Sequence, residues 1–178
     1  MKVMDGSPIR WMGYPLALLL VFLAVYPVSA NSDSHLFVIE RSTNANVIHY
    51  DGKILQDGKL DPKTPVVAYW IMAAEDGRRE SLSFVERQKA YGFTIRPGDS
   101  PGVYRMTLVS QRSHEIRIYL QGGTARAETS IDGSRAYLVR IFVKTRKSGP
   151  LRTADYYELF GIDIMTGEAR YEKVAPQN

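Results

Sequence analysis

The chain has 178 residues, no cysteine, and 23 basic against 19 acidic side chains, which gives a formal net charge of +4. The lack of cysteine excludes disulfides, thiol catalysis and cysteine-ligated zinc within this sequence. Because the charge excess is small and the chain is predicted below to be exported, we do not expect nucleic acid as a partner.

The first thirty residues have the composition of a signal peptide. Basic residues precede an almost unbroken apolar run over residues 14–26. That run is shorter than the roughly 20 residues that a membrane-spanning helix needs, which favours cleavage over an uncut anchor. Small side chains at Val28 and Ala30 predict cleavage after Ala30. We expect residues 1–30 to be removed and residues 31–178 to be exported, to the periplasm or the exterior, as a single β-rich domain without a transmembrane span.

Alternation of apolar and polar residues, with frequent turn residues, predicts a mainly β fold. We expect an antiparallel curved sheet, either a barrel or a sandwich, with one short docked helix. The first two strands are predicted at 36–41 and 46–50, joined by the turn Ser42–Ala45. The run VVAYWIMAA at 66–74 is apolar without alternation. It predicts a strand covered on both faces, at the centre of the core.

The docked helix is predicted at residues 84–91. Ser83 and Glu86 have the spacing of a capping box, in which each side chain binds the backbone N–H of the other residue. Gly92 follows where helices commonly end in a left-handed residue. A helix this short depends on packing against the sheet for its stability.

The register of the later strands is predicted from their turns. A two-residue turn at Gly122–Gly123 sets Arg117 opposite Glu128. For the next turn, a two-residue loop at Asp132–Gly133 would put apolar and charged residues on the same face. We therefore predict the three-residue loop Ile131–Gly133, with a bulge at the glycine.

This loop pairs Ala127 with Tyr137 and places alternate residues of the following strand on the buried face: Tyr137, Val139, Ile141 and Val143. A last turn of the same form at Met165–Gly167 puts Gly161 opposite Tyr171, whose ring could cover the glycine. Alternating large and small side chains across these strands are typical of a strongly curved sheet.

The residue order resembles a known bacterial family of exported proteins. The stretches FVIERSTNANVIHYD, LDPKTPVVAYWIMAAEDGRRESLSFVERQKAYGF and YYELFGIDIMTGEARYEKV are similar to the family named domain of unknown function 4833. The resemblance covers nearly all of the predicted mature chain. It implies a compact exported protein and brings no catalytic or ligand residues with it.

Candidate catalytic or metal-binding groups are few. His49, Asp51 and the pair His114–Glu115 could hold a metal only if folding brings them together. His35 lies almost at the start of the predicted mature chain. A partly buried strand histidine is the commoner finding, so we predict no metal and no other cofactor.

Aromatic and amide side chains give a different possibility. Nine of the eleven tyrosines follow residue 30, and they could line a cavity or fill a solid core. The candidate ligand-binding residues are Asn44, Asn46, His49, Tyr69, Trp70, Tyr91 and Tyr137.

A second candidate surface combines apolar and basic residues near one hairpin end. It could contact a protein partner or an anionic envelope component, or its charges could simply prevent edge-to-edge association. Its residues are Leu138, Arg140, Phe142, Lys144, Arg146 and Lys147.

Three functions follow from these patterns, and the first is preferred. It is a non-enzymatic exported domain that binds an apolar or amphiphilic small molecule, or an envelope component, in the concavity of its sheet. The second is a structural or assembly module that binds a protein partner through its surface. The third is a hydrolase with an unrecognised site that uses His49 and nearby acids. The oligomeric state does not follow from the sequence.

Overall fold

The computed structural model describes residues 34–148 and 151–176, and the predicted signal peptide lies outside them. The fold is mainly β, curls as a half-barrel and has one short helix, which confirms the predicted fold class. The helix α1 spans Phe84–Lys89. The strands are β1 (His35–Arg41), β2 (Asn44–Gly52), β3 (Val66–Ile71), β4 (Arg79–Ser81), β5 (Phe93–Pro97), β6 (Tyr104–Leu108), β7 (Gln111–Gln121), β8 (Thr124–Ile131), β9 (Ser134–Ser148), β10 (Leu151–Asp163) and β11 (Ala169–Val174).

The eleven strands form one sheet organised on the long strand β9. Its main path runs β4-β3-β2-β1-β9-β8-β7-β6-β5. Strand β10 pairs with β9 over residues 136–148 and so occupies one edge of it. Strands β8 and β1 therefore share the opposite edge, β8 at residues 134–137 and β1 at 140–143. We call β1–β4 the first wing and β5–β8 the second wing. Both wings are joined to the same edge of β9, next to each other.

The junction between β1 and β9 is parallel, a feature that the sequence did not predict within the mostly antiparallel sheet. The other recorded strand pairs are antiparallel. Alternation of side chains is the same in parallel and antiparallel strands, so this difference could not be read from the pattern.

The interior lies between the two wings. The Tyr50 ring lies 6.1 Å from that of Phe93, and its hydroxyl donates to the Tyr91 carbonyl at 2.6 Å. A Cβ at Gly52 would lie 2.9 Å from that of Ala125, so the wings approach closely there. Both wings contribute buried side chains to this interior, including Phe37, Ile39 and Ile48 from the first wing and Met106, Ile116 and Ile118 from the second.

Strand β3 is not the centre of this core. It is the second strand from one end of the path. Only Val66 and Trp70 of its six residues are buried, and the others are half-buried. A strand is confirmed over residues 66–71, but its predicted place at the centre of the core was wrong, because an apolar run does not distinguish a half-covered face from a fully covered one.

Two turns test the predicted registers. The two-residue turn at Gly122–Gly123 is confirmed, with Arg117 opposite Glu128. The three-residue loop at Ile131–Gly133 is wrong. Ile131 pairs with Ser134, so the loop is Asp132–Gly133, whose φ values of 51° and 73° suit a type I′ hairpin turn.

A β-bulge at Val139 explains the error. On β10, Phe160 pairs with Arg140 and Gly161 with Leu138, which skips Val139. One extra residue exchanges the faces on either side of it. Val139 is therefore 49% exposed and Leu138 only 2%, the reverse of the prediction.

The rest of β9 follows from the same bulge. Ile141 and Val143 are buried as predicted, whereas Tyr137, on the other side of the bulge, is only half-buried. Glu128, rather than Ala127, lies opposite Tyr137.

The last hairpin is also one residue out of the predicted register. Phe160, rather than Gly161, faces Tyr171. The Asp163 N–H donates to the Glu168 carbonyl, so the loop spans residues 164–167. Gly161 is needed for a different reason: a Cβ there would lie 2.5 Å from the carbonyl oxygen of Tyr137.

The first hairpin has a shorter turn than predicted. Arg41 pairs with Asn44, so the turn is Ser42–Thr43 rather than Ser42–Ala45. This register fixes the direction of Arg41, which is on the same strand face as the buried Ile39 two residues earlier.

The capping box of α1 is confirmed. The Ser83 hydroxyl accepts the Glu86 N–H at 3.3 Å, and the Glu86 carboxylate accepts the Ser83 N–H at 2.8 Å. The helix is shorter than predicted and buries none of its residues, but Glu86 also accepts a hydrogen bond from the Trp70 indole at 3.2 Å. Among the described residues, no helix has the length and apolar character to span a bilayer.

Candidate functional site

A cleft of about 950 Å³ opens between the end of α1, the β6–β7 turn and strands β1, β9 and β10. Its floor is apolar, because Ile39, Val143 and Tyr157 belong to the core. Strand β1 stops pairing with β9 at Val143, whereas β9 continues with β10 to residue 148. The cleft lies where β9 extends beyond the first wing.

Charged residues from separate elements surround this floor. The basic ones are Arg41, Lys89, Arg112 and Arg146, and the acidic one is Asp155. The Arg146 Nε lies 3.9 Å from Asp155, at the limit of an ion pair. The described lining therefore has an excess of positive charge, which favours an anionic group at its rim.

Arg41 is held in place on one wall of the cleft. Its guanidinium lies 4.4 Å from the centre of the Trp70 ring and donates to the Tyr91 hydroxyl at 3.3 Å and to Asn44 Oδ1 at 3.1 Å. Its Nε is buried without a hydrogen-bond partner among the described residues. Stacking and hydrogen bonds fix the cation without neutralising it with a carboxylate.

Tyr157 contributes a neutral hydroxyl to the cleft. Burial raises the pKa of Tyr157, and the neighbouring side chain of Ser110, another lining residue, opposes that rise. The hydroxyl is therefore protonated near neutral pH and can either donate or accept a hydrogen bond.

The predicted ligand-binding residues are divided among several places. Tyr91 lines the cleft. Trp70 and Asn44 do not line it but contact Arg41, which does. Asn46 is buried, and its amide is bound to the Ala74 N–H at 2.8 Å and to a methionine sulfur. Tyr137 lies elsewhere and donates to Gln121 at 2.7 Å.

The other two predicted residues, His49 and Tyr69, belong to a cluster on the outer face of the first wing. His35, His49 and Asp51 each place one donor atom within 4.8 Å of the others. His35 Nδ1 is 3.0 Å from Asp51 Oδ1, and the Tyr69 hydroxyl donates to Asp51 Oδ2 at 2.5 Å. Sequence reasoning considered His49 and Asp51 for a metal but paired them with the distant His114.

The environment of this outer cluster favours a neutral imidazole and an ionised carboxylate. Burial and the neighbouring His35 and Arg79 lower the pKa of His49, although Asp51 opposes them. Burial alone would raise the pKa of Asp51, but hydrogen bonds from His35 and Tyr69 lower it. Tyr69, buried and hydrogen-bonded to Asp51, has its pKa raised to about 12.

The predicted surface of apolar and basic residues is not a single surface. Leu138 is buried by the Val139 bulge, which corrects its placement on the surface. Arg140 is paired with Glu40 at 3.0 Å and stacks on the Phe160 ring. The remaining members are a half-buried Phe142, the exposed Lys144 and Lys147, and Arg146, which lines the cleft.

The letters GDSPG at residues 98–102 match G-x-S-x-G, the pattern of the nucleophile elbow in some hydrolases. In the structure they form the turn between β5 and β6, not a strand-to-helix elbow. The Ser100 carbonyl accepts the Val103 N–H, and Ser100 has no histidine hydrogen-bonded to it among the described residues. The match to G-x-S-x-G therefore reflects the residues of a turn and does not mark a nucleophile elbow.

Comparison with known proteins gives one match. The sequence profile of the family described as Domain of unknown function (DUF4833) matches residues 37–173. The chain belongs to this family. No curated protein matches the chain, and neither does any solved structure.

The part that matches DUF4833 includes the cleft floor and its four basic residues, whereas His35 precedes it. Sequence reasoning found Tyr91 and Trp70 in this DUF4833 protein but missed Arg112 and the floor residue Tyr157. Both have ordinary strand or turn contexts in the sequence, and only the approach of distant elements makes them neighbours. Arg41 offered a usable signal, since it interrupts the alternation of a buried strand with a charge.

Proposed function

We propose that the protein is an exported, non-enzymatic binding protein whose cleft holds an amphiphilic molecule with an apolar tail and an anionic headgroup. The observation that carries the proposal is the combination of an apolar floor with four basic side chains against one acidic side chain. Such a lining suits a ligand that is apolar at one end and negative at the other.

The size of the cleft supports this proposal. Its volume of about 950 Å³ lies within the range of small-molecule sites, which is roughly 300–1,000 Å³. The floor residues Ile39, Val143 and Tyr157 are at most 7% exposed and are already fixed by the core. Binding there would require little reorganisation, which favours affinity.

Arg41 is the group best placed to select the headgroup. Trp70 and Tyr91 hold its guanidinium in one orientation, and its buried Nε lacks a partner among the described residues. Guanidinium groups recognise carboxylates and phosphates through paired hydrogen bonds. We assign to Arg41 the role of a fixed cation, and to Lys89 and Arg112 that of mobile charges at the rim.

The hydrolase alternative has less support. His49 lies beside Asp51 and Tyr69, but among the described residues no serine or threonine hydroxyl is hydrogen-bonded to it. The assembly alternative loses Leu138 to the interior. It keeps four exposed apolar side chains on or near β9–β11, namely Val139, Ile162, Met165 and Tyr171.

Three amphiphiles with the same tail test the proposal. We would measure displacement of a fluorescent naphthalene sulfonate from the purified protein by dodecanoate, dodecyl phosphate and dodecyltrimethylammonium. The expected result is saturable binding of the two anions and at least about tenfold weaker binding of the cation. The basic side chains at the rim attract an anionic headgroup and repel a cationic one. Failure of all three to bind, or equal binding of anion and cation, would overturn the proposal.

A matched pair of variants on β7 locates the site. Arg112 lines the cleft, and Arg117 lies on the same strand away from it. We expect Arg112→Gln to weaken dodecyl phosphate binding about fivefold through the loss of one nearby charge. Arg117→Gln should leave the affinity unchanged. Equal effects of the two substitutions would place the binding outside the cleft.

A further inference from the structure

We propose that His35, His49 and Asp51 form a binding site for a divalent transition-metal ion such as Zn²⁺ or Cu²⁺. Two imidazole nitrogens and a carboxylate oxygen are donors that such ions prefer. Three protein ligands would leave at least one coordination position to water. The cluster is on the outer face of the first wing, so the inference does not depend on ligand binding in the cleft.

A β-bulge assembles the cluster. His35 pairs with Asp51 and Phe37 with Tyr50, so β1 has one extra residue, Leu36, opposite β2. Without the bulge, His35 would share the inward face of Phe37 and Ile39. The extra residue turns His35 outward beside Asp51, in keeping with the tendency of bulges to redirect a side chain near functional sites.

The three donors meet across two neighbouring strands. His49 and Asp51 are two residues apart on β2 and so share its outer face, while His35 reaches them from β1. The donor atoms lie within 4.8 Å of one another, and His35 Nδ1 is 3.0 Å from Asp51 Oδ1. Ligand atoms around a metal at about 2.0–2.2 Å lie some 3–3.5 Å apart, so small rotations of the side chains suffice.

A second layer of contacts orients the ligands. The Tyr69 hydroxyl donates to Asp51 Oδ2, so the other oxygen, Oδ1, is the one that faces His35, and the Tyr69 ring stacks on His49 at 5.7 Å. Tyr69 on β3 pairs with His49 on β2, so both side chains are held by regular strands. Outer contacts of this kind commonly set the affinity of metal sites.

The charge around the cluster sets an upper limit on its affinity. The Arg79 guanidinium lies 3.4 Å from the centre of the Tyr69 ring. Its positive charge also contributes to the lowered pKa of His49. Asp51 is the only carboxylate in the cluster. A cation site with one carboxylate and a neighbouring arginine relies on its imidazoles, which excludes Ca²⁺ and Mg²⁺ as the preferred ions.

Calorimetric titration with Zn²⁺ alone tests the proposal on the purified protein, prepared without a histidine tag. The expected result is saturable binding of one ion per chain. His35→Gln, His49→Gln and Asp51→Asn should each weaken it at least tenfold, and Tyr69→Phe about tenfold through the lost contact to Asp51. The control, His114→Gln, removes a histidine outside the cluster and should leave the affinity unchanged.

Paramagnetic resonance of the Cu²⁺-loaded protein identifies the ligand atoms directly, which a change in affinity alone does not. The wild type should show coupling to two imidazole nitrogens, and His49→Gln to one. Absence of saturable Zn²⁺ binding below about 1 mM would overturn the proposal, since a three-ligand site binds far more tightly. Equal losses in His49→Gln and His114→Gln would also overturn it.

Discussion

Asp163 holds the last hairpin together with both carboxylate oxygens. Its Oδ1 accepts the N–H groups of Met165 and Thr166 at 2.8 and 3.0 Å, and its Oδ2 accepts a hydrogen bond from Arg170 Nε at 2.9 Å and lies 2.8 Å from Arg170 Nη2 in an ion pair. The two backbone N–H groups, and after them Arg170, lower the pKa of Asp163. The fold therefore favours the ionised form of this side chain.

The pH dependence of Asp163→Asn follows from this shift. A carboxyl whose pKa is lower in the folded state stabilises the fold above its ordinary pKa of 3.8 and loses that effect as the pH falls through its folded value. We expect Asp163→Asn to lower the free energy of unfolding at pH 7, and the difference from the wild type to shrink below pH 3.8. Urea denaturation across this pH range measures both.

The control for Asp163→Asn is Asp57→Asn, in an exposed loop where the carboxylate is 54% exposed. It should change the stability little at either pH. A difference between Asp163→Asn and the wild type that stays constant from pH 7 to pH 3 would contradict the assigned role.

Residue-level predictions from the sequence succeeded where partners are near in the chain. Ser83 and Glu86 form the predicted capping box because both groups belong to one turn of backbone. The local sequence gave no prediction for the direction of His35, whose partners lie on another strand and whose direction is set by the bulge at Leu36.

Strand β9 shows how one extra residue determines which side chains are buried. It pairs with β8 before Val139 and with β1 after it, while β10 runs along its other edge. The bulge lets a single strand serve both wings, because the added local twist re-aims the sheet between them. Gly161 on β10 accommodates the crowding opposite Leu138.

Adjacent substitutions on β9 distinguish the observed bulge from a regular strand. Leu138 is 2% exposed and Val139 is 49% exposed. We expect Leu138→Ala to cost about 2–5 kcal/mol of stability and Val139→Ala less than about 1 kcal/mol. Chemical denaturation of the two variants measures this. The reverse order would restore the regular alternation predicted from the sequence.

The two wings act as one unit because they share β9 and a common interior. Core residues of the first wing, such as Phe37 and Tyr50, belong to the same cluster as Met106 and Ile118 of the second. Neither wing can bury its inner face without the other. This arrangement favours cooperative unfolding of both.

Phe37→Ala tests the coupling of the wings. Phe37 is fully buried and stacks on Tyr50 with the ring centres 4.5 Å apart. We expect the substitution to cost about 3–5 kcal/mol. Hydrogen exchange followed by mass spectrometry should show equal losses of protection in β2 and β7, although only β2 belongs to the wing that contains the change.

Phe84→Ala is the matched control, since Phe84 on α1 is 67% exposed. It should leave exchange in both wings unchanged. A loss of protection in the first wing alone would show that the two wings unfold independently. In that case the cleft, which both wings line, would form only when each wing is folded.

The sequence by itself determined the features that depend on near neighbours in the chain. Alternation of side chains specified a mainly β fold, two glycines specified the turn between β7 and β8, and a serine and a glutamate specified the start of α1. Each of these rests on backbone preferences and hydrogen bonds that span only a few residues.

The tertiary structure decided which of these elements meet. The parallel contact joins β1 to β9, whose paired residues lie about 100 positions apart in the chain, whereas the bulges at Leu36 and Val139 arise within the β1–β2 and β9–β10 pairs. Those features place Arg41 on the cleft wall and His35 beside Asp51. Both candidate sites depend on contacts between strands, and for His35 a bulge reverses the direction of the side chain without leaving a local pattern in the sequence.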